Sequence, residues 1–184
     1  MAALVGDGWD RPGLGEWDVR ALVGHASRSL LTVETYLARP APAVEVASAG
    51  DYFRATRVMA ASDPAVVARG RDAGTALGSD PAVAVAQIAE RVLALVEAQD
   101  GTELVTTIAG GMRLGDYLPT RAFELAVHTA DLATALDLPP QVPATAAAQA
   151  LRIVADLAVA DGHAGLLLLA ATGRTGLPAG FSVL

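Results

Sequence analysis

Residues 121–133, RAFELAVHTADLA, set Arg121, Glu124, His128 and Asp131 at spacings of three, four and three. On a helix with about 100° per residue these four fall within one face about 80° wide, and Tyr117 lies near it. Leu118, Leu125, Leu132 and Leu136 flank the stripe on one side; Phe123, Val127 and Ala130 flank it on the other. The back of the helix holds only Ala122, Ala126, Thr129 and Ala133. A solvated ladder of charges lies opposite one apolar stripe, not between two. The pattern favours a helix with neighbours on both sides and its polar face turned inward.

The rest of the chain suits such packing. Of its 184 residues 53% are hydrophobic but only 4% aromatic. A core of Ala, Leu and Val with few rings favours closely packed helices over a β-sandwich. Helical periodicity is expected over about 18–37, with Leu22, Ala26, Leu30, Val33 and Leu37 in one stripe and Asp18 in the first turn. A second helix is expected over about 49–73, kinked or split at Asp63-Pro64, and a third from Ser79-Asp80-Pro81 to Asp100-Gly101. The stretch TELVTTIAGGMRLG reads as a short extended piece or hairpin. A fourth long helix follows over about 116–136, with Pro119 placed in its first turn. A fifth covers about 143–160 and a short apolar one about 164–172, before an irregular tail. The expected fold class is all-α: an antiparallel four-helix bundle with a short extra C-terminal helical segment and tail.

Charge and composition exclude several functions. A net charge of −7 and the absence of any basic run argue against a nucleic-acid partner. With no cysteine, disulfides, Cys-ligated zinc, iron–sulfur clusters and a protein thiol nucleophile are excluded, so any thiol chemistry needs an external thiol. MAALVGDGWDRPG lacks the basic and apolar regions of a signal peptide. GLLLLAA at 165–171 is far short of the ~20 residues of a membrane span. A soluble cytoplasmic protein with no membrane partner is expected.

A buried polar stripe needs partners, because an uncompensated buried charge is costly. Glu124 and His128, four apart, can converge on one ion, their β-carbons being about 5–6 Å apart. On spacing alone, Glu-x-x-x-His is more often a side-chain pair than a metal site, so both readings stand. A metal site needs a third ligand from another helix. Of the three histidines, His163 beside a turn reads as a helix-start residue, whereas His25 lies mid-helix at the edge of the first core stripe. Asp131 is by default a surface charge, but three residues after His128 it is placed to accept that ring's other N–H. Arg121 is by default a partner for Glu124; its fork geometry also suits a substrate carboxylate. No Gly-x-Ser-x-Gly elbow occurs, and neither GGMRLG nor GDGWDRPG has the spacing and Lys of a phosphate loop.

WDRPGLGEWDVRALVGHAS, LGDYLPTRAFELAVHTADLATAL and the closing LLLAATGRTGLPAGFSVL together resemble the mycothiol-dependent maleylpyruvate isomerase N-terminal domain family, within the DinB-like metalloenzyme superfamily. The specific parts are Trp-x-Val-Arg-x-Leu-Val-x-His, ending at His25, and Arg-x-x-Glu-x-x-x-His-x-x-Asp, from Arg121 to Asp131. The resemblance implies one DinB-like bundle domain over 1–184, with a core at about 15–140 and a C-terminal helical extension at about 143–184. It implies a divalent metal, zinc by expectation, held by His25, Glu124 and His128. It also implies mycothiol as a small-molecule thiol partner and isomerase or S-transferase chemistry on a small electrophilic substrate. Arg121 and Asp131 would take supporting catalytic roles, and the protein would be a monomer or homodimer.

The family's namesake isomerase has a further C-terminal α/β domain. Here only a short helical stretch and a tail are expected after about residue 143, so maleylpyruvate isomerase activity itself is not expected. Two other functions fit the same residues: a metal-dependent hydrolase without a thiol, and a non-enzymatic metal- or ligand-binding stress-response protein. A His₂–carboxylate set also suits iron, manganese or nickel.

Overall fold

A computed structural model describes residues 1–60 and 64–184. Among the described residues the chain is mostly helical, with seven α-helices and one two-stranded sheet. Two short 3₁₀ turns, Ala2–Leu4 and Gly8–Asp10, precede α1 (Val19–Leu37). Asp18 caps α1 rather than lying in its first turn: its carboxylate accepts from the Ala21 N–H at 2.7 Å. An isolated bridge between Pro12 and Asp18 holds that residue extended, which places it just outside the helix. Pro40 follows shortly after the end of α1, where the residue before a proline is turned away from helix.

The second expected helix is two: α2 (Ala49–Ala60) and α3 (Pro64–Ala76). Pro64 opens α3, as its fixed φ and missing N–H favour; Asp63, named with it above, lies outside the described residues. α4 (Pro81–Glu97) starts as expected, with Asp80 as its cap accepting from Val83 N–H. The β reading of 102–115 is a hairpin, β1 (Leu104–Thr107) paired antiparallel with β2 (Gly110–Arg113) in the register Leu104↔Arg113 and Val105↔Met112. Val105 and Met112 bury the inner face of that hairpin.

β2 runs without a loop into α5 (Leu114–Ala135), which therefore starts two residues before the expected position. Its first N–H groups are satisfied from outside: Leu114 donates to Glu103 O at 2.8 Å and Gly115 to Gly101 O at 2.9 Å. The earlier start moves Pro119 out of the first turn and into the second, where it removes one intrahelical bond. Tyr117 and Thr120, on either side, are fully buried, and that packing holds the helix through the break. α6 (Ala144–Ala160) and α7 (Ala164–Ala171) complete the helices.

α1 packs on α3, α4 and α5, and α5 also packs on α2 and α6. One apolar cluster joins Val33 and Tyr36 of α1 to Tyr52, Phe53, Tyr117 and Phe123. The other joins Val19, Leu22 and Val23 of α1 to Leu77, Val85, Leu132 and Leu136. Along α1 the second cluster comes first; along α5 it comes last. The two helices thus run antiparallel, and the middle of each, with His25 on one and Glu124–His128 on the other, falls at the seam between the clusters. α1 and α3 cross backbone to backbone: a Cβ on Gly24 would lie 2.2 Å from Gly74 N.

Candidate metal centre

The seam opens into a cavity of about 730 Å³, lined among others by Trp17, His25, Tyr52, Arg121, Glu124 and His128. The polar stripe of α5 does turn inward. His128 is more enclosed than Glu124 or Asp131, its side chain 12% exposed against 25% and 28%. The flanks behave as the helical wheel indicates at Phe123, Leu132 and Leu136, which are buried, although Val127 is exposed. The small back face is buried too at Ala126 and Ala133, so α5 is covered on more sides than its pattern suggests.

His25, Glu124 and His128 each offer one ligand atom, and these atoms all lie within 4.8 Å of one another. The His25 and His128 rings meet edge to face with centroids 5.0 Å apart. His128 Nε2 is 3.3 Å from Glu124 Oε2, close to the ~3.4 Å between two ligands of one tetrahedral zinc with bonds of about 2.0–2.2 Å. At its other nitrogen, His128 Nδ1–H donates to Asp131 Oδ2 at 3.0 Å. That contact fixes the ring and leaves Nε2 facing Glu124. His25 stacks on Trp17, centroids 4.4 Å apart, and its Nδ1 is buried with no hydrogen-bond partner among the described residues. A buried, unsatisfied imidazole nitrogen costs about 1–3 kcal/mol. Its presence beside a carboxylate and a second imidazole fits a cation site, in which lone pairs are used rather than left idle.

The electrostatics separate the two histidines. Burial, with His128 beside it, pushes His25 down to about 4, so its ring is neutral and able to coordinate. Burial also opposes charge on His128, but hydrogen bonds to Asp131 and Glu124 outweigh it and raise the ring to about 9. Burial alone would raise Glu124; the bond to His128 and the charge of Arg121 instead hold it below the ordinary carboxylate value. Without a metal the stripe is therefore an Asp131–His128–Glu124 chain with a protonated ring at its centre.

Arg121 departs from the simpler expectation, an ion pair with Glu124. No ion pair joins it to Glu124 among the described residues; its guanidinium lies over Tyr117 and Tyr52, 4.8 and 5.2 Å from the ring centroids, and its Nε donates to Thr120 Oγ1. It still lines the cavity. His163 caps α7 and its ring meets Phe181, outside the cluster.

The sequence model of the mycothiol maleylpyruvate isomerase N-terminal domain matches residues 1–133, a span that includes His25 and the whole stripe through Asp131. The chain belongs to that family. The match of this mycothiol maleylpyruvate isomerase N-terminal domain member stops near the end of α5, so α6, α7 and the tail lie beyond it. No curated protein and no solved structure matches the chain. No helix among the described residues is long and apolar enough to cross a membrane.

Trp17, Arg28 and Arg69 are among the cavity residues with no counterpart in the candidates drawn from the sequence. Trp17 was legible only as part of the family motif, because a residue just before a helix has no periodicity. Arg28 is three residues after His25 and so shares its face, a signal that helix spacing does contain. Arg69 has no such signal, since the crossing of α1 and α3 alone brings it near.

Proposed function

We propose that this chain is a metal-dependent enzyme that uses an external thiol, with a divalent ion, zinc, held by His25, Glu124 and His128. The single observation that supports this most is the convergence of those three ligand atoms within 4.8 Å at the wall of a large cavity. On this reading the frame is a DinB-type bundle built on the antiparallel α1 and α5, and the working compartment is the cytoplasm. Three protein ligands leave a fourth position for a reactant, as in catalytic rather than structural zinc sites. A bound divalent ion supplies the positive charge that keeps a thiol deprotonated near neutral pH.

The chain's own residues do the rest. His25 would supply a neutral imidazole nitrogen, His128 a second once its Nε2 proton is displaced, and Glu124 a carboxylate. Asp131 holds the His128 Nδ1 proton, so that Nε2 stays free to coordinate. Trp17 backs the His25 ring, and Tyr52 and Tyr117 hold Arg121 flat at the wall. The absence of cysteine means the thiol comes from outside, and family membership makes mycothiol the thiol of choice. The reaction is addition or transfer of that thiol to a small electrophile, or an isomerisation passing through such an adduct.

The test is a pH titration of mycothiol thiolate absorbance with and without zinc-loaded protein. Thiolate is expected at lower pH with the wild type than in free solution. An unchanged titration curve at saturating protein would overturn the thiol assignment.

A further inference from the structure

Four arginines line the cavity: Arg28, Arg57, Arg69 and Arg121. Two of them are engaged. Arg57 Nη2 lies 2.7 Å from Asp161, and Arg121 is laid over two tyrosine rings and bonded to Thr120. Arg28 and Arg69 have neither a carboxylate nor a carbonyl partner among the described residues. Arg28 is half-buried and Arg69 is exposed. Among the described residues lining the cavity Glu124 is the one with a carboxylate side chain, and it is turned to His128.

The two arginines come from different helices. Arg28 follows His25 by one turn of α1, and Arg69 belongs to α3. Close backbone contact at Gly24 and Gly74 fixes how these helices cross. Both side chains line the same cavity as His25. Two cationic side chains lining one cavity without a paired carboxylate attract an anion that reaches both. Trp17, Tyr36, Tyr52 and Phe53 give the same cavity flat apolar walls.

We propose that Arg28 and Arg69 form an oxyanion-binding subsite, which takes a carboxylate or phosphate group borne on a flat apolar ligand in the cavity beside His25. Guanidinium forks suit either oxyanion, and each charge-assisted contact is worth about tenfold in affinity or more. The subsite assigns a substrate class to the function proposed above and rests on that function only for what the ligand does once bound.

The test uses benzoate, phenyl phosphate and the neutral benzamide as probes, by calorimetry on zinc-loaded and metal-free protein. In both forms, at least one anion is expected to bind about tenfold or more tighter than benzamide. Arg28→Gln and Arg69→Gln are each expected to remove most of that preference, and Arg28→Lys to keep part of it, which separates loss of charge from loss of fold. The tighter anion identifies the oxyanion. Metal-free protein with no preference over benzamide, or a preference that survives in both Gln variants, overturns the subsite. Zinc content of the same samples is measured in parallel, so a failure of the metal reading leaves its own separate mark.

Discussion

His128 donates from Nδ1 to Asp131 Oδ2 at 3.0 Å while its Nε2 faces Glu124 Oε2 at 3.3 Å. One residue thus sets the tautomer of a ring whose other nitrogen belongs to the cluster with His25. Asp131 lies three residues after His128 and Glu124 four before, so a single helix builds this relay without help from elsewhere. Asp131→Ala is expected to weaken zinc binding by about 10–100-fold, the usual effect of removing such an orienting carboxylate. Competition with a chelator indicator measures it, and an affinity equal to wild type would remove Asp131 from the site.

The two histidines make the metal-free protein sensitive to pH in opposite directions. His25 titrates at about 4 in the fold against 6.5 for the free side chain, so the unfolded chain binds more protons between those values. Its contribution is therefore lost as pH falls from about 6.5 towards 4. His128 titrates at about 9, so the folded chain holds the extra proton and that stability is lost as pH rises from about 6.5 through 9. With partial solvent screening each change is on the order of 2 kcal/mol. Urea midpoints across pH are expected to peak near 6.5, and the peak should flatten in the His25→Gln/His128→Gln double variant. A peak unchanged in that variant would assign the pH dependence to other groups.

Zinc must displace the His128 proton at neutral pH, because that ring is charged up to about 9. Uptake at pH 7 should therefore release about one proton per ion, and apparent affinity should rise with pH until about 9. Calorimetry in buffers of different ionisation enthalpy reads the proton count directly. No proton released would mean that His128 is not a ligand.

Gly70 is expected to be intolerant of any side chain. A Cβ there would lie 2.5 Å from the Trp17 indole, whose Nε1 donates to Val67 O at 3.0 Å and whose ring supports His25. Gly70→Ala is expected to cost about 1–3 kcal/mol and to loosen metal binding, because the indole has to move. Thermal unfolding and zinc affinity on the same sample check both effects. A variant with normal stability and normal zinc affinity would show that Trp17 does not position His25.

Much of this was legible in the chain, for reasons specific to each element. The stripe from Arg121 to Asp131 turned inward as its two apolar flanks required, and the hairpin appeared where Val, Thr and Ile crowd before Gly110-Gly111. Local rules failed where long-range contacts decide. Asp18 became a cap because Pro12 bridges to it, and α5 began early because Glu103 and Gly101 supply acceptors for its first N–H groups. Its spacing makes Arg121 a partner for Glu124, but the tyrosine faces that receive it instead come from α2 as well as its own helix. That Arg28 and Arg69 line one cavity depends on a glycine-to-glycine helix crossing, which no one-helix pattern encodes.

Elemental analysis of the untagged protein, reconstituted with zinc and desalted, beside His128→Ala treated identically, tests the central claim most directly. The expected result is about one zinc per chain in the wild type and almost none in the variant, given three protein ligands of which one is removed. No bound zinc in the wild type, or equal zinc in both, would contradict it.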